Sequence, residues 1–158
     1  MLAHYGAHVI KIEPPCCGDI ARGWGPPFYG SESAYSFNLN PNKQSVAIDL
    51  KQPQGRQLFL RLVERADVVL ERLRMGTVDQ LGIPWTCVKA RNRRIVYCSI
   101  SGFGPDATAS GAVPLADITA GMYAAFAVVT ALHARSVTGR GLFIDVSMLE
   151  GQLASCRT

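Results

Sequence analysis

Apolar and polar residues alternate through His8-Val-Ile-Lys-Ile-Glu13, and that period of two predicts a β-strand. Ser45-Val-Ala-Ile-Asp-Leu50 reads as a second strand. The period then lengthens. Leu58/Leu62 and Phe59/Val63 form an i,i+4 stripe, with Pro53 suited to the first turn of the helix they predict. Asp67-Val-Val-Leu70 is a third strand, and Val78 to Leu81 and Trp85 to Ala90 are short helical pieces divided by Gly82 and Pro84. Arg94-Ile-Val-Tyr-Cys-Ser-Ile100 is apolar almost throughout, as a strand covered on both faces must be. A long helix is expected from about Asp117 to about Arg135, then a strand at Leu142-Phe-Ile-Asp-Val-Ser147, then a helix from Met148 to Ala154.

Strands that alternate with helices imply an α/β fold: a parallel, Rossmann-like sheet with flanking helices. Pro14 to Ala34 stands apart, being rich in Gly and Pro and carrying Trp24, Phe28 and Tyr29. A connection of that length reads as a long loop, and such loops are usually functional or mobile. Met1 to Gly6 looks like the tail of a helix with a glycine stop, and the last helix has barely begun at Thr158. Residues 1–158 are therefore expected to form a single, partial domain of a larger protein.

Composition narrows the classes. With 158 residues, 48% hydrophobic and 18% charged, the chain can bury a core, which excludes global disorder. No uncharged run reaches the ~18–20 residues of a membrane span; Ile118 to Leu132 reads as a buried helix, and no membrane partner is expected. The net charge of +4 is concentrated between Arg56 and Arg94, which hold nine basic and four acidic residues. Such a patch suits a phosphorylated ligand, nucleic acid or plain solvated surface. No helix-turn-helix, RNP or finger motif accompanies it, so nucleic acid is not expected.

Five cysteines, two of them adjacent at Cys16-Cys17, fit no disulfide framework, and His4-Tyr5-Gly6 interrupts any secretory signal. Reduced thiols and a cytoplasmic location follow, or the mitochondrial matrix in a eukaryote. No metal is expected. His4 and His8 have helical spacing, but the strand beginning at His8 spoils it, and a CxxC pair is lacking. Asp117, at the start of the uncharged run, reads from its position as a helix N-cap.

Several of these segments together resemble a known family. Gly6-Ala-His-Val-Ile-Lys-Ile-Glu13, Arg22-Gly-Trp-Gly25, Asn40-Pro-Asn-Lys-Gln-Ser45, Tyr97-Cys-Ser-Ile-Ser-Gly-Phe-Gly104, Leu115-Ala-Asp-Ile-Thr-Ala-Gly121 and Thr138-Gly-Arg-Gly-Leu142 are similar, in order, to the opening half of the class III coenzyme A transferases. This is the CaiB/BaiF family of formyl-CoA, carnitine-CoA and succinyl-CoA:dicarboxylate transferases, with the α-methylacyl-CoA racemases as relatives. The resemblance implies transfer of coenzyme A between an acyl-CoA and a small carboxylic acid through an aspartyl-CoA intermediate. The nucleophile it implies is Asp117.

For the CoA-binding side it implies Lys51 and Ile48 near the second strand. It also implies Arg72 and Leu73, in Glu71-Arg-Leu-Arg-Met-Gly76 where the family reads Glu-Asn-Phe-Arg-Pro-Gly, and Arg22 in the Gly/Pro loop, whose structural alternative is a pair with Asp19. It implies a homodimer in the family, an internal deletion here near residues 110–112, and impaired activity of this short chain. Two other readings stay open: a racemase-like isomerase, for which His133 lies too far along the helix, and a non-catalytic binding module using the basic surface.

Overall fold

The computed structural model describes residues 1–102 and 114–155, which fall into two compact units, Met1–Phe59 and Leu60–Thr158. The first begins with a 3₁₀ turn, Leu2–Tyr5, closed by Gly6 at φ 92°, the left-handed conformation that glycine enters without steric cost. β1 (Val9–Glu13) pairs in parallel with β4 (Lys43–Ala47), in the register Val9↔Lys43 to Glu13↔Ala47. The second strand thus starts two residues earlier than its apolar residues suggest and ends earlier. Ile48 N–H still bonds Glu13 C=O at 2.9 Å, but the Asp49 carboxylate then accepts from Lys51 N–H at 3.0 Å and turns the chain.

The expected Pro14–Ala34 loop is more ordered than its composition implies. It holds a 3₁₀ turn, Ile20–Gly23, a hairpin of β2 (Phe28–Tyr29) and β3 (Glu32–Ser33), and the start of α1 (Ala34–Leu39). Ser33 makes this possible. Its fully buried hydroxyl donates to Ala21 C=O at 2.8 Å and accepts from Ser36 N–H at 3.0 Å, so one side chain ties the turn and caps the helix.

α2 (Pro53–Arg65) leads from the first unit into the second. There β5 (Val68–Glu71), β6 (Val96–Ser101) and β7 (Phe143–Ser147) form an all-parallel sheet in the order β5-β6-β7. The Rossmann-like α/β class is as expected, although its five long strands lie in a two-stranded and a three-stranded sheet. β6 is central, and Val96, Tyr97 and Cys98 are at most 3% exposed. α3 (Thr77–Gln80) and α4 (Trp85–Arg91) follow β5, α5 (Pro114–Thr138) precedes β7, and α6 (Met148–Ser155) follows it.

α5 corrects one expectation. It is not a buried helix but a half-buried one. Ala116, Ala120, Ala124, Val128 and Ala131 form a buried stripe, and the helix packs on β6 and β7. Ile118, Met122, Phe126 and Val129 are more than half exposed. Ala116–Thr138 is long and apolar enough to cross a membrane by length and composition alone.

Candidate active site

Asp117 lies in the first turn of α5, where a carboxylate opposes the positive end of the helix dipole. Its side chain is about one-third exposed, but Oδ1 is shielded from solvent. That oxygen stands 2.5 Å from Arg72 Nη2 and accepts no hydrogen bond of good geometry among the described residues, so the contact is charge against charge. Arg72 is the residue just after β5, and its side chain is 58% exposed. The turn that presents it is fastened by Leu73 N–H, which donates to the Glu71 carboxylate at 2.7 Å. The backbone thus brings two of the six site residues expected from sequence into direct contact.

Leu73 also lines a cavity of about 350 Å³ beside this turn. Its wall is the face of the sheet turned away from the buried α5 stripe: Tyr97, Ser99 and Ser101 of β6, and Phe143 and Asp145 of β7. Tyr97 and Phe143 stack at 5.6 Å between ring centres, and Trp85 of α4 tilts against both at 5.7 and 5.8 Å. Burial, with Glu71 and Asp79 adding to it, pushes the Tyr97 phenol well above its ordinary range, so it stays a neutral donor. The aromatic wall is set among charged groups, since Glu71, Arg74, Asp79 and Asp145 also line the cavity. Sequence reading missed these three rings. Trp85, Tyr97 and Phe143 come from three separate elements, and nothing local marks them as neighbours.

The other candidates lie in the first unit. Ile48 is 5% exposed and buried at the end of β4. Lys51 is exposed in the turn before α2, and its ammonium has no ion pair among the described residues. Close backbone packing shapes this turn: a Cβ on Gly55 would lie 1.9 Å from Asp49 O. Arg22 does not pair with Asp19, its expected structural partner. It binds Glu13 through Nε and Nη2, each at 3.1 Å, and Glu32 through Nη1, while Lys11 takes Asp19. Glu13 is 4% exposed, and the bond from Arg22 outweighs the cost of burial to hold its carboxyl down at about 2. For Asp19, burial alone would raise the value, but the Lys11 and Ala21 bonds prevail and lower it. Arg22 is thus a partly exposed cation already shared by two carboxylates.

The chain is similar to proteins of one known family. The sequence model of CoA-transferase family III matches residues 1–113 and 106–158, which together span the chain. A succinyl-CoA:glutarate CoA-transferase of Homo sapiens is 34% identical over 181 aligned positions, covering 97% of this chain and 41% of that protein. An acetyl-CoA:oxalate CoA-transferase of Acetobacter aceti is 36% identical over 183 positions, covering 98% of this chain and 47% of the relative. The crystal structure of a CaiB/BaiF family protein from Brucella suis superposes with a TM-score of 0.88 at 34% identity, covering 99% of this chain and 50% of that one. The chain therefore spans about half the length of the relatives it matches. The aligned spans also exceed its own 158 residues, so the relatives carry residues within them that it lacks. With a match from end to end and the same fold, the chain belongs to CoA-transferase family III.

Proposed function

We propose that this chain carries the carboxylate half of an acyl-CoA:carboxylate CoA-transferase site, with Asp117 as nucleophile. The observation that carries the reading is the Arg72–Asp117 contact at the N-terminus of α5. A nucleophilic carboxylate must be ionised, aimed and partly open to its substrate. The guanidinium of Arg72 and the first turn of α5 hold the Asp117 carboxylate in place, and about one-third of the side chain is open.

In the proposed reaction one Asp117 oxygen attacks the thioester carbonyl of an acyl-CoA. The C–S bond breaks, giving an aspartyl–acyl anhydride and CoA thiolate. The thiolate then attacks the aspartyl carbonyl, forming an aspartyl thioester and releasing the first carboxylic acid as its anion. An incoming carboxylate reverses the sequence and leaves as the new acyl-CoA, with Asp117 regenerated. Leu73 and the aromatic cavity beside it would receive an apolar or planar part of the ligand. Within the first unit, the resemblance gives Lys51, Ile48 and Arg22 to CoA binding, Arg22 as a phosphate contact once it yields one carboxylate. The acid substrate is a small carboxylate. The family model matches in two overlapping segments, and the relatives carry residues within the aligned span that are lacking here. Both are in line with an interruption near residues 110–112, from which a slow or incomplete cycle in this chain is expected.

The test is covalent trapping. Incubation with succinyl-CoA should add the mass of CoA less one water, and hydroxylamine should release CoA and leave a hydroxamate on Asp117. Because α5 starts at Pro114, Asp117 is not the N-cap expected from sequence, and Asp117→Asn, which keeps the size of the side chain and removes its charge, should abolish the adduct. An adduct that persists in Asp117→Asn, or one mapped elsewhere, would refute the assignment. If no adduct forms on the unmutated chain, the chain has no transferase half-reaction.

A further inference from the structure

Cys16 and Cys17 sit at the solvent-facing apex of the turn between β1 and the Ile20–Gly23 3₁₀ turn, and both are exposed. Their sulfurs are 3.3 Å apart, with Cys16 Sγ donating to Cys17 Sγ. Adjacent side chains usually diverge; here the turn aims both thiols to one side. It is held at both ends. Gly18, at φ 63°, donates its N–H to Pro14 C=O at 3.0 Å, and Asp19 N–H donates to the buried Glu13 carboxylate at 2.9 Å. A Cβ on Gly18 would lie 2.9 Å from that carboxylate and 3.1 Å from Arg22 Nε, so the turn is pressed against the Glu13–Arg22 pair. Neither other described cysteine offers the same chemistry. Cys87 has no thiol neighbour of this kind, and Cys98 is fully buried with its thiol pushed up to about 11, chiefly by burial.

We propose that Cys16 and Cys17 form a reversible dithiol–disulfide site, oxidised by low-molecular-weight disulfides such as glutathione disulfide. One protein thiolate attacks a sulfur of the small disulfide, forming a mixed disulfide and expelling one small thiolate. The neighbouring protein thiolate then attacks the protein sulfur of that mixed disulfide, closing the ring and expelling the second. The two protein thiols lose two electrons and two protons; the small disulfide takes them up and leaves as two thiols.

Ring closure needs the sulfurs to move from 3.3 Å to about 2.05 Å, a short distance for an exposed turn. Successive Cα atoms lie about 3.8 Å apart, below the ~4.4–6.8 Å of ordinary bridged pairs, so the ring is strained and easily reopened by thiols. That suits a labile, responsive bond and not a structural one. The same paired geometry fits a trivalent arsenical, which forms two As–S bonds and releases water from phenylarsine oxide.

The experiment uses the full reduced chain with glutathione disulfide, read by intact mass and by mapping of the Cys16–Cys17 peptide. The expected product lacks two hydrogens on that peptide, retains no glutathione, and is restored by dithiothreitol. Cys16→Ser and Cys17→Ser should each stop at a stable single-glutathione adduct, while Cys87→Ser should behave like the parent. Phenylarsine oxide should bind the parent in a form that resists monothiols and bind neither single-serine variant so firmly. Stable glutathione adducts on the unmutated peptide, or no reaction there at all, would overturn the proposal. Circular dichroism of the two variants confirms that an exposed turn tolerates serine.

Discussion

Arg72 Nη2 lies 2.5 Å from Asp117 Oδ1, joining the end of β5 to the first turn of α5. The residue that sequence reading gives to a CoA phosphate thus rests on the candidate nucleophile. Partly exposed pairs contribute up to ~1 kcal/mol, and a loss of that size at the reacting carboxylate slows it about fivefold. Arg72→Ala should slow adduct formation at Asp117 by about that factor. Arg72→Lys should recover part of the rate, because an ammonium without the guanidinium plane can still hold the Asp117 carboxylate in position. Rapid-quench mass spectrometry of the Asp117 adduct checks both; equal rates in all three proteins would make the contact incidental.

Much of this site was hidden from the sequence for a physical reason. Asp117 was legible as a nucleophile only through the motif Leu115-Ala-Asp-Ile-Thr-Ala-Gly121, since its place at the head of an uncharged run by itself suggests a cap. Its link to Arg72 was not, since it depends on how β5 and α5 come together across the sheet. The long strands were legible from their periods. β4 slid by two residues because Ile48 and Leu50 continue the alternation that Asp49 interrupts as a turn. α1 was missed because Tyr35, Phe37 and Leu39 alternate with a period of two, and because Ser33, which caps it, is held in place by a tertiary bond from its hydroxyl to Ala21 C=O.

Glu13 makes the fold of the first unit sensitive to acid. Its folded value, about 2, lies below the ordinary 4.5, so its stabilisation is complete above the unfolded value and is lost as pH falls through the folded one. The window of loss therefore runs from about 4.5 down to about 2. Glu13→Gln should cost about 2–3 kcal/mol at neutral pH and almost nothing at the acid end. Urea unfolding of both proteins across this range checks it. A constant difference would mean the Glu13 charge is not the source.

Gly141 and Gly121 should respond in opposite senses to alanine. A Cβ on Gly141 would lie 1.8 Å from Ile95 O, a backbone atom that cannot swing away. Gly141→Ala should destabilise by about 2–3 kcal/mol or more. Gly121, within α5, has nothing among the described residues within 4 Å of its would-be Cβ, so alanine there should stabilise the helix by up to ~1 kcal/mol. Thermal melts of the two variants separate the cases; a destabilised Gly121→Ala would mean that position needs its backbone freedom.

Lys51 is exposed and without an ion pair among the described residues, so it can meet a phosphate without breaking an existing contact. CoA affinity should fall several-fold in Lys51→Ala at low salt, and the two proteins should converge as salt screens the contact. Calorimetric titration with CoA at two ionic strengths measures this. Identical affinities at low salt would remove Lys51 from the site.

The two faces of α5 lead to a last pair of expectations. Ile118, Met122 and Phe126 follow one another at i,i+4 spacing and are 62%, 56% and 76% exposed, so they form an apolar strip open to water. Contiguous apolar surface of this kind drives association. Phe126→Glu should lower concentration-dependent self-association, because it places a charge in the centre of the strip. It should change unfolding stability by no more than ~0.5 kcal/mol, since a side chain that exposed packs little in the folded chain. On the opposite face Val128 is 1% exposed within the alanine stripe. Val128→Ala should therefore destabilise by about 2 kcal/mol and leave the strip, and hence association of the folded chain, unchanged. Sedimentation velocity over a concentration series, run beside thermal melts, tests both. If Phe126→Glu associates as strongly as the parent, another surface holds the copies together. If it also melts early, the Phe126 ring packs more than its exposure implies.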